Sequence, residues 1–125
     1  MTTSWTISEL AREFDITPRT IRFYEDQGIV SPAREGRNRV YSTRDRARLK
    51  LALRGKRLGL VLAEIRSLID MYDGPGDTTP QLREYLGVLQ RHREQLEGQR
   101  RDIDDTLAEI ATQEKACRDL LDAQA

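Results

Sequence analysis

Hydrophobic positions at the start of the chain recur at helical spacing. These positions are Ile7, Leu10, Ala11 and Phe14. Residues three and four apart share one face of a helix, so the spacing predicts a helix from about Ile7 to Phe14. Thr6 and Glu9 have the T-x-x-E spacing of a capping box, which marks the start of that helix.

A second helix start follows within a few residues. Thr17 is a favourable N-cap residue, and Pro18 suits the first helical position because a backbone N–H there, which proline lacks, would have no acceptor within the helix. We predict a helix from Pro18 to about Gln27 that ends at Gly28, a residue type that readily adopts the left-handed conformation. Two short helices joined by a short turn are typical of a helix-turn-helix.

After Gly28 the pattern changes to short β-prone segments. Residues 29–32 and 39–42 flank a loop of residues 33–38, which contains a glycine and two arginines. This arrangement predicts a small β-hairpin, or wing, with a basic tip.

Two more helices are predicted before the next break in the pattern. Thr43 is the expected cap of a third helix that runs to about Leu58, where Gly59 interrupts it. Its residues available for burial are Leu49, Leu51, Ala52 and Leu53. A fourth helix is predicted from about Val61 to Tyr72. Its inner side is expected to carry Leu62, Ile65, Leu68, Ile69 and Tyr72.

Residues 73–77, with the sequence Asp-Gly-Pro-Gly-Asp, form the clearest helix break in the chain. We therefore predict a head of residues 1–73 and a long dimerisation helix of residues 78–123, which starts at Thr79 and Pro80. One heptad seam of that helix reads Leu82, Leu89, Leu96, Ile103, Ile110 and Cys117. The other reads Leu86, Arg93, Arg100, Leu107, Glu114 and Leu121. Such a helix buries only a narrow stripe, so the pattern predicts a coiled-coil dimer.

The charged positions of the second seam predict the direction of the two helices. In a parallel coiled coil, Arg93, Arg100 and Glu114 would each face their own copy, and repulsion strengthens as the local dielectric falls. In an antiparallel pair, each of them faces the apolar seam and can still extend its charge to solvent. We therefore expect an antiparallel coiled coil.

Composition narrows the classes of protein that fit the sequence. The 125 residues are 38% hydrophobic and 34% charged, which favours long solvated helices over one deep core. No apolar run approaches the ~20 residues of a membrane span, and the N-terminus lacks the apolar stretch of a signal peptide, so we expect a cytoplasmic protein. The single cysteine, Cys117, excludes a framework of intrachain disulfides.

The net charge of zero conceals an uneven distribution of charge. Residues 1–72 contain 14 basic and 9 acidic residues, a net +5, while residues 73–125 contain 7 and 12, a net −5. Residues 19–57 alone carry 12 basic and 4 acidic residues, a net +8. A concentrated basic region is typical of a protein that binds a polyanion, and the alternative is a solvated basic surface without a partner.

The second helix carries the strongest candidate chemistry. Arg19, Thr20 and Arg22 cluster in its N-terminal half, where a recognition helix presents side chains to the major groove. Arginine can bind guanine O6 and N7 in a bidentate manner, and both arginine and threonine can bind phosphates. The alternative is an ordinary amphipathic helix with solvated arginines, but here a basic hairpin follows directly.

Several motifs together resemble the MerR-type transcriptional regulators of bacteria. They are Thr6-Ile7-Ser8-Glu9-Leu10-Ala11, Thr17-x-Arg19-Thr20-Ile21-Arg22-Phe23-Tyr24-Glu25-x-x-Gly28-Ile29, Arg37-Asn38-Arg39-Val40-Tyr41 and Leu53-Arg54-x-Lys56-Arg57-Leu58-Gly59-Leu60-x-Leu62-x-Glu64-Ile65. The resemblance implies a mainly α fold, with a winged helix-turn-helix head of four helices and a small hairpin, followed by a long helix that forms an antiparallel coiled coil. It also implies a homodimer on a palindromic operator in a long-spacer promoter, which the dimer distorts so that RNA polymerase can engage.

The residue patterns, together with the resemblance, give candidate residues for each part. The candidate DNA-binding residues are Arg19, Thr20, Arg22, Tyr24, Arg34, Arg37, Arg39, Tyr41 and Arg54. Among them, Arg19 and Arg22 are expected to contact bases, Tyr24 to contact a phosphate, and Tyr41 to close the wing onto the duplex. The candidate dimerisation residues are Leu82, Leu86, Leu89, Leu96, Ile103, Leu107, Ile110 and Cys117.

The chain also departs from the metal-sensing members of that family. Those members use a cysteine near the start of the long helix and two cysteines in a loop after it, whereas this chain has only Cys117. We therefore expect the non-metal branch, no metal and no cofactor, and interpret Cys117 as a packing residue. A small-molecule effector, if the protein has one, is expected where the fourth helix, Gly74-Pro75-Gly76 and the partner's coil meet.

Two hypotheses from different classes remain after an enzyme is set aside. His92 and Cys117 are the nearest approach to a catalytic pair, but 25 residues of helix separate them by about 37 Å. The first hypothesis is a DNA-binding regulator of transcription, which explains the recognition helix, the wing and the coil together. The alternative is a coiled-coil adaptor whose basic head binds protein or RNA, and it explains only the coil.

Overall fold

The computed structural model describes residues 3–73, 76 and 78–125. The chain divides into two compact units, one that ends at Tyr85 and one from Leu86 to Ala125. The elements are β1 (Ser4–Trp5), α1 (Ile7–Phe14), α2 (Pro18–Asp26), β2 (Ala33–Glu35), β3 (Asn38–Ser42), α3 (Thr43–Arg57), α4 (Leu62–Asp73) and α5 (Thr79–Ala123). The predicted fold class, a mainly α winged helix-turn-helix with a long C-terminal helix, is confirmed.

The first two helices begin at the residues that the sequence indicates. The Thr6 side chain accepts a hydrogen bond from the Glu9 N–H at 3.1 Å, and the Glu9 carboxylate accepts one from the Thr6 N–H at 2.9 Å. Thr17 caps α2 in the same way, accepting from the Thr20 N–H at 3.2 Å. These bonds pair N–H groups that have no acceptor inside the helix.

The wing is present, but its first strand was predicted too early in the chain. Residues 29–32 form no strand; instead Ile29 and Val30 are buried in the core. The hairpin pairs β2 with β3 around a two-residue turn, in which Gly36 has a φ of 63°. The apolar residues at 29 and 30 indicate burial. A buried segment without strand pairing has the same sequence pattern as a buried strand, so the sequence could not separate the two.

The sheet contains a third strand that the pattern analysis did not predict. β1 pairs antiparallel with β3, with Ser4 opposite Ser42 and Trp5 opposite Tyr41, and gives the strand order β1-β3-β2. Two residues are too few to show an alternation of apolar and polar positions.

A buried carboxylate organises the junction of the wing and α3. The N-cap of α3 is Ser42, one residue before the predicted Thr43, because Asp45 completes a capping box with Ser42. Asp45 also accepts a hydrogen bond from the Ser31 N–H at 3.0 Å. This one side chain therefore joins the entry and the exit of the wing, and its burial is balanced by charge-assisted hydrogen bonds.

The core of the head lies between α1, α2, α3, α4 and β3. Its largest fully buried residues are Tyr41, Leu10, Ile21, Ile29, Leu49, Ile69 and Val30. In α4, the predicted inner residues Ile65, Leu68 and Ile69 are buried, but Tyr72 is 63% exposed and Met71 is buried instead. Asp73 contacts Arg44 in the first turn of α3, so the last turn of α4 lies where its covering helix begins. The spacing of apolar residues in a helix does not reveal where the neighbouring helix that covers them ends.

The long helix α5 comprises 45 residues, in agreement with the helix that the heptad pattern predicts. Its exposed large apolar residues are Leu82, Leu86, Leu96, Ile103, Leu107, Ile110, Leu120 and Leu121. Among the described residues, none of the helices combines the length and the apolar character that crossing a bilayer requires. The predicted break at residues 73–77 falls mostly on residues 74, 75 and 77, which lie outside the described residues.

Candidate nucleic-acid interface

Helix α2 separates its core residues from its exposed ones. Ile21 and Tyr24 are buried, with exposed fractions of 0% and 3%, and they anchor the helix to the head. Arg19 and Arg22 are exposed, and Phe23 is 49% exposed. The side chains that were predicted to read bases are therefore presented to solvent by a helix that the core fixes in place.

A recess lies beside this exposed face and has a volume of about 510 Å³. Its lining residues are Arg19, Thr20, Phe23 and Tyr24 of α2, Lys56 of α3, and Leu62 and Ile65 of α4. Arg19 and Lys56 provide two positive charges, and none of the described residues that line the recess carries a carboxylate. Apolar side chains cover the remaining wall. Such a recess fits a sugar-phosphate backbone, with cations for the phosphate and an apolar surface for the sugar.

Tyr24 contributes to the recess although most of its ring is in the core. Burial raises the pKa of its phenol above the ordinary value of 10.0, so the hydroxyl stays protonated at neutral pH and can donate a hydrogen bond. Phe23 contacts the Tyr24 ring in an edge-to-face geometry, with 5.4 Å between the ring centroids. The predicted phosphate contact of Tyr24 is therefore restricted to the side of the ring that lines the recess.

Lys56 is a functional candidate that the sequence analysis missed. It occupies the last turn of α3, next to Arg57, and the structure places it in the same recess as Arg19 and Thr20. The signal in the sequence was the basic pair at 56 and 57 directly before a helix end. Only the tertiary structure, which brings the end of α3 to the recess beside α2, shows that one member of the pair lies near the recognition helix.

The wing arginines differ in their surroundings. Glu25 of α2 accepts a hydrogen bond from Arg39 Nε at 2.8 Å, and Arg34 Nη2 lies 3.8 Å from the same carboxylate. Arg37 is exposed in the turn at the tip. Glu25 thus fixes the wing against α2 and offsets part of its positive charge, while Arg37 extends from the turn.

Two other candidates are not brought to this surface. Tyr41 is fully buried, with 0% exposure, and its hydroxyl has no hydrogen-bond partner among the described residues. Burial, followed by the nearby Glu25 carboxylate, raises its pKa above 10.0. A side chain in the core cannot close the wing onto a duplex, so the structure corrects this assignment. Arg54 is exposed on α3 but does not line the recess.

The candidate dimerisation residues lie along α5. Most are exposed, including Cys117, while Leu89 is half-buried. Among residues 3–73, 76 and 78–125, no three His, Cys, Asp or Glu side chains are close enough together to bind a metal ion.

Known regulators of transcription match this chain over most of its length. Residues 5–72 match the family described as MerR HTH family regulatory protein, and residues 46–113 match MerR, DNA binding. The chain is 32% identical over 119 residues to the HTH-type transcriptional regulator ZntR of Escherichia coli (strain K12). The aligned region covers 94% of this chain and 78% of ZntR.

Two solved structures share the fold. One is a MerR family regulator from Bacillus cereus, with a TM-score of 0.66, 28% identity, and coverage of 85% of this chain and 76% of that one. The other is HiNmlR, a MerR family regulator bound to promoter DNA, with a TM-score of 0.61, 22% identity, and coverage of 84% and 79%. This chain belongs to the MerR family of DNA-binding transcriptional regulators.

Proposed function

We propose that this regulator acts as an antiparallel homodimer on a palindromic operator within a long-spacer promoter, where RNA polymerase is its partner. In this proposal, residues 1–73 bind DNA, residues 78–123 form the dimer, and the protein regulates transcription in the cytoplasm without catalytic activity of its own. The observation that carries the proposal is the recess in which Arg19 and Thr20 of the recognition helix share a surface with Lys56.

The surroundings of each side chain support a division of labour. Arg19 and Arg22 are exposed on α2 and suit direct contacts with base edges. Lys56 and Tyr24 line the recess and suit phosphate contacts, as does Arg37 at the wing tip. Arg39 and Arg34 contact Glu25, so we assign them a smaller share of the phosphate binding.

The test begins with duplexes that the full-length protein selects from a random-sequence library. Affinity is then measured for a selected duplex and for a scrambled duplex of the same composition, at several salt concentrations. Arg22→Ala should weaken the selected duplex by about 1–3 kcal/mol and the scrambled one much less. Arg101→Ala, which removes the same charge from the exposed surface of α5, serves as the control.

Variants that remove a phosphate contact should behave differently from Arg22→Ala. Lys56→Ala and Arg37→Ala should weaken binding to both duplexes to a similar extent. Each should also lower the number of counterions released on binding, as measured from the salt dependence of the affinity, by about one. If Arg22→Ala leaves both affinities unchanged, α2 is not the recognition helix. If no library duplex is enriched, the adaptor hypothesis replaces the proposed function.

A further inference from the structure

The segment that leaves the recognition helix has carbonyl groups that accept hydrogen bonds from arginines of other helices. Arg66 of α4 donates through Nη2 to the carbonyl oxygen of Gln27 and lies 3.3 Å from its side-chain oxygen. Arg48 of α3 donates through Nε to the carbonyl oxygen of Ile29. Cations suit the C-terminal end of a helix because its carbonyls lack helical partners and carry partial negative charge.

The second end of the Arg48 guanidinium binds a different element. Its Nη1 atom pairs with Oδ2 of Asp73, the last residue of α4, and Arg44 Nη2 lies 3.2 Å from the same oxygen. The Arg48 side chain is 15% exposed and that of Asp73 is 28% exposed. Water therefore screens this pair less than an ion pair on an open surface.

One guanidinium thus joins the exit of α2 to the end of α4. Arginine can do so because its planar group carries several donors in fixed directions, whereas a lysine ammonium acts as a single compact charge. Asp73 is also the last α4 residue before the chain continues towards α5, which begins at Thr79. A displacement of the end of α4 would therefore be transmitted through Arg48 to the backbone that follows the recognition helix.

We propose that Arg48 and Asp73 are positioning residues for DNA recognition, which set the end of α2 relative to the end of α4 without touching DNA. The proposal rests on the DNA-reading role of α2. It predicts that a change at Asp73, 47 residues after the end of α2 at Asp26, alters discrimination between DNA sequences.

Asp73→Asn is the primary test, and Asp119→Asn is its matched control. Asp119 also forms an ion pair, with Lys115 Nζ at 2.9 Å, so both variants remove one paired carboxylate and the same charge. The full-length protein is tested with a library-selected duplex and a scrambled duplex. Asp73→Asn should reduce the ratio of the two affinities at least fivefold, with the salt dependence for the scrambled duplex unchanged. Asp119→Asn should leave the ratio unchanged, and Asp73→Glu should restore it.

Amide hydrogen exchange provides a readout that does not depend on DNA. The Ile29 N–H donates to the Tyr24 carbonyl at 2.9 Å. In Asp73→Asn, exchange at this amide should accelerate, whereas Asp119→Asn should leave it unchanged. Arg48→Lys is the second variant, because it keeps the charge but loses the fixed pair of donors. If Asp73→Asn fails to fold, Arg48→Lys decides the question with the same affinity ratio and the same amide.

Specific outcomes overturn the proposal. Equal weakening of both duplexes by Asp73→Asn, or an affinity ratio within twofold of the original protein in a folded variant, excludes a positioning role. The result of Arg22→Ala separates a failure of the positioning role from a failure of the DNA-reading role of α2. If Arg22→Ala lowers the affinity ratio and Asp73→Asn does not, the recognition helix stands and only the positioning role fails.

Discussion

At the scale of single residues, Tyr41 shows how burial decides a role that sequence leaves open. Arg39 and Tyr41 are two apart on β3 and therefore point to the same side of the strand. Arg39 reaches Glu25 of α2, whereas Tyr41 is fully buried. The alternation of side chains along the strand was readable in the sequence. Which side of the strand faces the core depends on α1 and α3, which pack against β3. The position of β3 was therefore predictable and the role of Tyr41 was not.

The hydroxyl of Tyr41, which has no hydrogen-bond partner in the described part of the chain, leads to a stability prediction. A buried polar group without a partner costs on the order of 1–3 kcal/mol, so Tyr41→Phe should raise the free energy of unfolding by about 1 kcal/mol. Tyr41→Ala, the control for ring packing, should lower it by about 3–5 kcal/mol. Urea unfolding measures both changes. A loss of stability in Tyr41→Phe would show that the hydroxyl has a hydrogen-bond partner in solution.

At the scale of elements, the helices were more predictable than the strands. The capping box of Thr6 and Glu9 is a local signal, and the structure forms it as the spacing indicates. The strands β1 and β2 are two and three residues long, and their positions depend on pairing with β3. Cap signals lie within four residues of sequence, while strand pairing depends on residues that are distant in the chain.

The packing of α3 against α4 allows a sharp test with two glycines. A Cβ atom at Gly55 would lie 2.8 Å from Cγ1 of Ile65, which is closer than van der Waals contact allows. Gly55→Ala should therefore lower the free energy of unfolding by about 1–3 kcal/mol, although alanine is the better helix former. Gly98→Ala in α5 is the control, since a Cβ there meets only the end of the Arg101 side chain at 3.8 Å. It should raise helix stability by up to about 1 kcal/mol. Stabilisation by both substitutions would contradict the close contact.

At the scale of the whole molecule, charge and apolar surface are divided along the chain. The net +5 of residues 1–72 accompanies the recognition helix and the wing, and the net −5 of residues 73–125 accompanies α5. Burial in a coiled coil would stabilise the exposed leucines and isoleucines that α5 carries at heptad spacing. We expect the thermal unfolding midpoint to rise with protein concentration, as it does for a dimer.

The direction of that dimer follows from the charged seam positions. A parallel pair would place Arg93, Arg100 and Glu114 against their own copies and would bring two basic heads to one end of the coil. An antiparallel pair places these charges against the apolar seam and separates the heads, as two half-sites on one face of DNA require. We therefore predict an antiparallel homodimer.

Crosslinking at Leu89 tests this direction. Leu89 belongs to the first seam, and a parallel coiled coil brings each seam residue against its own copy. The variant is Leu89→Cys in a Cys117→Ala background, which removes the native thiol. In an antiparallel pair that overlaps from Leu82 to Leu121, the two copies of residue 89 are separated by roughly 38 Å, because each lies about 12.5 residues from the centre at 1.5 Å per residue. A disulfide needs Cα atoms within about 7 Å, so the dilute folded protein should not form an 89-to-89 bond. Efficient formation of that bond would establish the parallel arrangement instead.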